Sequence, residues 1–306
     1  MSDIQLFRLA AGKATELPGR AAAIEKQLQS LIEAQMPAFL GVRFLASEYA
    51  IGKTHKGRID SLGIDENNCP VIVEYKRHSN ENVINQGLFY LDWLLDHQAE
   101  FRWLVMETFG KETAEAIDWA GTRLLCIAAD FTRYDQHAVQ QIPRNIELLR
   151  YKLFDDDLLL LELVNAVSVA DVTAAKPGTE QSAQPKSGGK DKSFDEQYAG
   201  ALPATRAVYD ALAAHVMALG DDVVERRLKL YIAFRRRKNF ASVVMYPNKM
   251  LVMLKLDPSS VALEDGFSRD VREIGHWGTG DLELTVRTLA DLEKAKPLLE
   301  RSYTES

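Results

Sequence analysis

The segment Pro70-Val71-Ile72-Val73-Glu74-Tyr75-Lys76-Arg77 constrains this chain more than any other. Its consecutive β-branched residues favour a strand and offer an apolar surface that belongs in a core. The charged residues that follow therefore end a buried element, where charges persist only when paired or liganded. Upstream, Gly57 to Asp65 reads as a second strand. The intervening Glu66-Asn67-Asn68 supplies turn chemistry, so the two segments are expected to pair as a hairpin. Side chains alternate along a strand, which puts Glu74 and Lys76 on one face. Hairpin pairing can bring Asp60 onto that face as well.

Two carboxylates converging with one ammonium suit phosphodiester hydrolysis. Hard carboxylate oxygens bind Mg²⁺ or Mn²⁺, which acidifies a bound water and stabilises charge on the phosphate. A lysine acts there as a compact point charge. The alternative is a surface hairpin carrying an ordinary Glu–Lys pair. On the next helix, expected from Asn80 to about Asp96, Gln86 and Tyr90 are four apart and share a face. Gln86 is either a partner for the attacking water or a packing polar group. Glu48, upstream, is either a third carboxylate or a solvated loop acid.

Around this core of the pattern, Ala21 to Ala34 reads as an amphipathic helix and Leu124 to Ala129 as a buried strand. Ile146 to Phe154 and Leu158 to Val164 read as a second hairpin around Asp155-Asp156-Asp157. Strands bracketed by helices in this order imply an α/β sandwich. From about Thr173 to about Gln197 the chain is rich in Pro, Gly, Ser, Gln and Lys, the composition of a flexible linker. The expected division is therefore 1–170, a linker over 171–198, and a small α+β domain over 199–306. In the last, a helix is expected at Pro203–Leu219, strands at Leu228–Arg235, Ala241–Tyr246, Met250–Leu256 and Asp281–Arg287, and a final helix from about Leu289.

A length of 306 residues allows two domains with their own cores. At 46% hydrophobic and 26% charged residues, the composition is that of a globular protein. The apolar runs are far shorter than a bilayer span, and no leader is evident, so a cytoplasmic address without membrane association is expected. The two cysteines, Cys69 and Cys126, lie in no metal-ligand spacing and read as structural thiols. The net charge of −7 does not advertise a nucleic-acid binder, so any phosphate contact must come from local basic patches. The densest is Arg235-Arg236-Arg237-Lys238, at the end of an alternating run that contains Tyr231 and Phe234. It reads either as a phosphate-tracking patch or as the outward face of a strand. The glycine-rich Ile274-Gly275-His276-Trp277-Gly278-Thr279-Gly280-Asp281 is expected to be a turn whose tryptophan packs in the core, with ligand binding the other reading.

The run SEYAIGKTHKGRIDSLGIDENNCPVIVEYKR, continuing NENVINQGLFYLDWLLDH, resembles the PD-(D/E)XK, or restriction-endonuclease-like, superfamily. It is especially similar to the branch containing the mismatch-specific endonucleases of archaea and actinobacteria. There a G-x-I-D strand precedes a V-V-E-x-K strand and a helix with Gln and Tyr four apart. The resemblance implies Asp60 and Glu74 as metal ligands, Lys76 as the catalytic lysine, Gln86 and Tyr90 as the helix motif, and Glu48 more loosely as the upstream acid. Ile59 stands where the superfamily's name has proline. It implies a restriction-endonuclease-like α/β sandwich with a mixed central sheet, and a Mg²⁺- or Mn²⁺-dependent endonuclease acting on DNA, with RNA and a homodimer left open. Arg58 and Arg77, which flank the motif, join Arg235, Arg236, Arg237 and Lys238 as candidate nucleic-acid contacts. The alternative is a catalytically inactive module on the same fold that binds nucleic acid or a protein. The C-terminal half resembles an uncharacterised domain often fused to nuclease-like domains.

Overall fold

In the computed structural model, residues 4–52, 57–77, 83–155, 157–167 and 192–306 are described. The chain divides into two units, Met1–Asp65 with Pro70–Lys176, and Pro177–Ser306 with Glu66–Cys69. Among the described residues no helix is long and apolar enough to cross a membrane.

The first unit opens with an antiparallel ribbon of β1 (Leu6–Ala10) and β2 (Lys13–Leu17). Its main sheet contains β3 (Gly19–Arg20), β4 (Val42–Ile51), β5 (Gly57–Asp65), β6 (Pro70–Lys76), β7 (Arg123–Ala128), β8 (Asn145–Phe154) and β9 (Leu158–Val167). The order is β3-β8-β7-β6-β5-β4, with β9 also on β8. β6, β7 and β8 run parallel and their neighbours antiparallel, so the sheet is mixed as expected. The three parallel strands are buried along most of their length because both of their faces are covered.

Alternation along β6 sorts its residues between the two covers. Val71, Val73 and Tyr75 join Leu28 and Ile32 of α1 (Glu25–Ala34) and Met36 and Leu40 of α2 (Met36–Leu40). Ile72 joins Leu91 and Leu94 of α3 (Val83–Asp96) and Phe101 and Val105 of α4 (Gln98–Phe109). Each such fully buried side chain contributes about 1.5–3 kcal/mol. Two further helices of the described residues are α5 (Lys111–Glu115) and α6 (Arg133–Gln140), the latter opened by a Thr132–Asp135 capping box. α1 starts at Glu25 and not at Ala21, because Ile24 is extended (φ −136°). The expected start of α3 at Asn80 lies outside the described residues. Glu48 belongs to a strand, β4, and not to a loop. Cys69 and Cys126 are free and buried.

The second unit holds α7 (Phe194–Gly200), α8 (Pro203–Met217), six strands and α9 (Leu289–Glu305). The strands are β10 (Val224–Arg227), β11 (Ile232–Arg235), β12 (Asn239–Tyr246), β13 (Lys249–Leu254), β14 (Ser268–Asp270) and β15 (Leu282–Val286). They form an antiparallel sheet in the order β10-β11-β12-β13-β15-β14. Leu212 and Val216 of α8, with Leu292 and Leu299 of α9, pack on one face against Val243, Val252, Leu254 and Leu284.

Two boundaries differ from expectation. α7 occupies the end of the expected linker, because Ser193 and Glu196 form a capping box and Phe194 is buried. Residues 171–191 of that linker lie outside the described residues. The strand expected over Leu228–Arg235 is shorter: β11 starts at Ile232, and residues 228–231 turn the chain back from β10, the Leu228 amide donating to the Tyr231 carbonyl (3.0 Å). The apolar alternation of Leu228, Leu230, Ile232 and Phe234 runs on through that turn, so periodicity alone does not reveal it.

Candidate active site

The β5–β6 ladder pairs Ile64 with Pro70, Gly63 with Val71, Leu62 with Ile72 and Ser61 with Val73. At the next position the carboxylates replace it. The Asp60 amide donates to Glu74 Oε1 (3.1 Å), and the Tyr75 amide donates to Asp60 Oδ2 (3.0 Å). Asp60 and Glu74 thus meet where the two strands part, at the C-terminal end of β6. Crevices outside the C-terminal ends of parallel strands are where α/β sheets bind ligands.

Glu74 is fully buried, and its Oε2 has no hydrogen-bond partner. Burial, reinforced by the neighbouring Asp60 charge, pushes its carboxyl up to about 9. Burial also raises Asp60, with the charges of Glu25 and Glu48 adding to it and the Tyr75 amide and Lys76 opposing. Burial alone would lower the Lys76 ammonium. Its bond to Glu25 and the charges of Asp60 and Glu74 outweigh that and raise it. The site therefore gathers more carboxyl groups than its lysine can pair.

Helix α1 supplies residues that sequence reasoning missed. Lys76 Nζ donates to Glu25 Oε1 (3.2 Å). Gln29 Nε2 lies within bonding distance of the Asp60 carbonyl (2.7 Å), Glu33 Oε1 (2.9 Å) and Ser47 Oγ (3.2 Å). Ser61 Oγ donates to the same Glu33 oxygen (2.7 Å). Glu25, Gln29 and Glu33 are four apart, a polar stripe beside the apolar Leu28 and Ile32, and that spacing was the available signal.

Glu48 stands across from Asp60, since Ser47↔Ser61 and Tyr49↔Ile59 bracket the two, and it adopts a left-handed φ of 52°. Its carboxylate is bonded to Lys26 Nζ (3.2 Å) and to Arg58 Nε (3.2 Å). Burial would raise it, but those cations hold it below the usual glutamate range. Gln86 Nε2 donates to the Tyr90 hydroxyl (3.1 Å). Tyr90 lies against the start of β5, where a Cβ on Gly57 would come within 2.7 Å of its ring. The Gln–Tyr pair is thereby set beside the strand that carries Asp60. Arg77 is exposed at the end of β6.

Among the described residues no group of three or more His, Cys, Asp or Glu is arranged to hold a metal ion. The pair Asp60 and Glu74 nonetheless fits a hard divalent cation of the kind held by one or two carboxylates, with water and substrate filling the remaining positions. An unpartnered buried carboxylate oxygen beside a second acid is the observation that favours such a cation.

In the second unit the basic run is partly consumed by its own fold. Arg235 is buried, and its guanidinium donates to the Arg236 and Arg237 carbonyls, which corrects its reading as an exposed phosphate contact. Arg236 donates to Asp222 Oδ2 (2.7 Å) and lies over the Tyr303 ring (4.7 Å). Arg237 is exposed and Lys238 half-buried. Trp277 does not pack in the core; it is 41% exposed. Gly278 (φ 91°) and Gly280 (φ 132°) lie so close to the sheet that a Cβ would strike Ser242 at 2.7 Å or the Leu254 carbonyl at 2.5 Å. The backbone occupies the space that the tryptophan was expected to fill.

Residues 194–306 match the model of a domain of unknown function (DUF5655). An uncharacterized protein of Haemophilus influenzae is 25% identical over 308 residues, covering 99% of this chain and 100% of that one. Among solved structures, a repair endonuclease from Pyrococcus abyssi is 19% identical, covering 42% of this chain and 47% of its own, with a TM-score of 0.29. An EndoMS–dsDNA2 complex is also 19% identical, covering 41% and 44% with a TM-score of 0.25. The chain thus spans less than half the length of either solved structure.

Proposed function

We propose that the first unit hydrolyses phosphodiester bonds in DNA, as an endonuclease that uses Mg²⁺ or Mn²⁺ held by Asp60 and Glu74. The observation that carries this reading is the meeting of the two carboxylates at the parting of β5 and β6, one of them buried with an unpartnered oxygen. When bound, the cation acidifies a water and stabilises charge on the scissile phosphate. Lys76, two residues beyond Glu74, offers a positive charge to the phosphate or to the attacking water, and Glu25 holds that side chain in place. Gln29 holds the backbone of Asp60 from the α1 side, and Gln86 is set by Tyr90 beside the same strand. Arg58 and Arg77, both exposed and on or next to the strands that carry Asp60 and Glu74, are candidate cations for the flanking backbone.

The test is cleavage of end-labelled and circular DNA by the full chain with Mg²⁺ or Mn²⁺, with RNA as a second substrate. Cleavage is expected with either ion and none with EDTA. Asp60→Asn and Lys76→Ala are each expected to lower the rate by about 10²–10³-fold or more, the scale for losing one group that stabilises the transition state. Undiminished cleavage by Asp60→Asn overturns the assignment. A chain that binds DNA but never cuts it supports the non-catalytic alternative.

A further inference from the structure

Among the described residues of the second unit, the helices pack on one face of its sheet. On the other face Val244, Leu251 and Met253 form an apolar floor. Above it the loop through Gly278 and Gly280 is pinned down, the Thr279 amide donating to Ser242 Oγ (3.2 Å), which leaves His276 and Trp277 standing over the floor. Two cavities result, one of about 450 Å³ and one of about 300 Å³. Val244, Tyr246 and Trp277 line both, so the two aromatic rings stand at the boundary between adjacent chambers. Each chamber is the size of a small-ligand site.

The chemistry of the walls selects the occupant. Trp277 and Tyr246 are 41% and 38% exposed, so both present ring surface for stacking, with Lys249 over one face of Tyr246. The acids of the groove are already bonded. Both oxygens of the buried Glu283 accept from Arg269 (2.6 and 2.9 Å), and Glu196 caps α7 through Ser193 (2.8 Å). A cationic ligand therefore has no anion waiting for it. Lys249, whose ammonium lies 5.4 Å from the Tyr246 ring centroid, and Lys192 add positive charge at the rim. His276 Nδ1 is buried without a hydrogen-bond partner beside the aromatic wall. The floor belongs to β12 and β13, each hydrogen-bonded on both sides, so a peptide cannot add there as a strand. Flat bases on an anionic backbone match these walls. Sheet faces with exposed aromatics and flanking cations bind single strands by stacking.

We propose that this groove binds unpaired nucleobases of a single-stranded nucleic acid, stacked on Trp277 and Tyr246. The inference uses only the second unit and stands or falls apart from the nuclease reading. Its test is binding of fluorescein-labelled oligothymidylate to the full chain in EDTA, where cleavage cannot intervene, with a duplex of equal length and dTMP as competitors. The single strand is expected to bind, and to be displaced poorly by duplex and by dTMP. Trp277→Ala and Tyr246→Ala are each expected to weaken binding about tenfold, the loss of one stacked base. Trp277→Phe should retain most of the affinity, and Trp103→Ala, an exposed tryptophan of the other unit, should retain all of it. Absence of binding, or equal binding by both alanine variants of the groove, overturns the proposal. Equal affinity for dTMP assigns the groove to free nucleotides and overturns it also.

Discussion

Two buried charge clusters stand towards opposite ends of the main sheet of the first unit. At the start of β7, Arg123 donates through Nε to Asp65 Oδ2 (3.1 Å) and through Nη1 to both oxygens of Glu147 (3.0 and 3.1 Å). All three side chains are almost wholly buried. At the far end of β6, Asp60 and Glu74 bond to each other's strand while Lys76 is shared with Glu25. The first cluster is closed, its two acids gripping one guanidinium across three strands. The second is open, with an orphaned carboxylate oxygen and an excess of acid. Burying charge is costly in both places. In the first both acids are bonded to the guanidinium, and in the second the orphaned Glu74 oxygen is left for a proton or a cation from outside.

The comparison is broken most severely by removing the shared cation of the closed cluster. Arg123→Ala leaves two carboxylates buried without it and is expected to cost about 3–5 kcal/mol. In calorimetry that appears as a fall of roughly 10 °C in the Tm of the first unit. A change within error would show that the closed cluster does not hold the sheet.

A smaller effect separates the clusters by pH. The folded-state pKa of Glu74 lies near 9, above its ordinary 4.5, so the native chain binds the extra proton between those values. Stability from this group is fully present below the lower value and is lost as pH rises towards the upper one. Asp60 is shifted in the same direction and adds to the slope. Without divalent ions, Tm is expected to fall as pH rises through this range, and Glu74→Gln should flatten the slope. An unchanged slope in that variant would refute the shift.

Much of the open cluster was legible in the sequence because its signals are local. Three β-branched residues, a turn and an E-x-K spacing place Glu74 and Lys76 on one face, and the hairpin brings Asp60 to meet them. Glu25 and Gln29 escaped because their role exists only once α1 docks on the sheet. The closed cluster escaped for the same reason, as Asp65, Arg123 and Glu147 come from three strands distant in sequence. The start of the strand expected at Leu228 was misplaced because the apolar alternation runs on through the turn at 228–231. Trp277 was misplaced because two glycines let the backbone itself lie against the sheet.

The most direct test is thermal unfolding of the full chain titrated with Mn²⁺ or Mg²⁺, beside Asp60→Ala. If Asp60 and Glu74 hold a cation, either ion raises the Tm of the wild-type chain by mass action and leaves Asp60→Ala unmoved. An equal rise in both proteins, or none in the wild type, would contradict a cation site at the parting of β5 and β6.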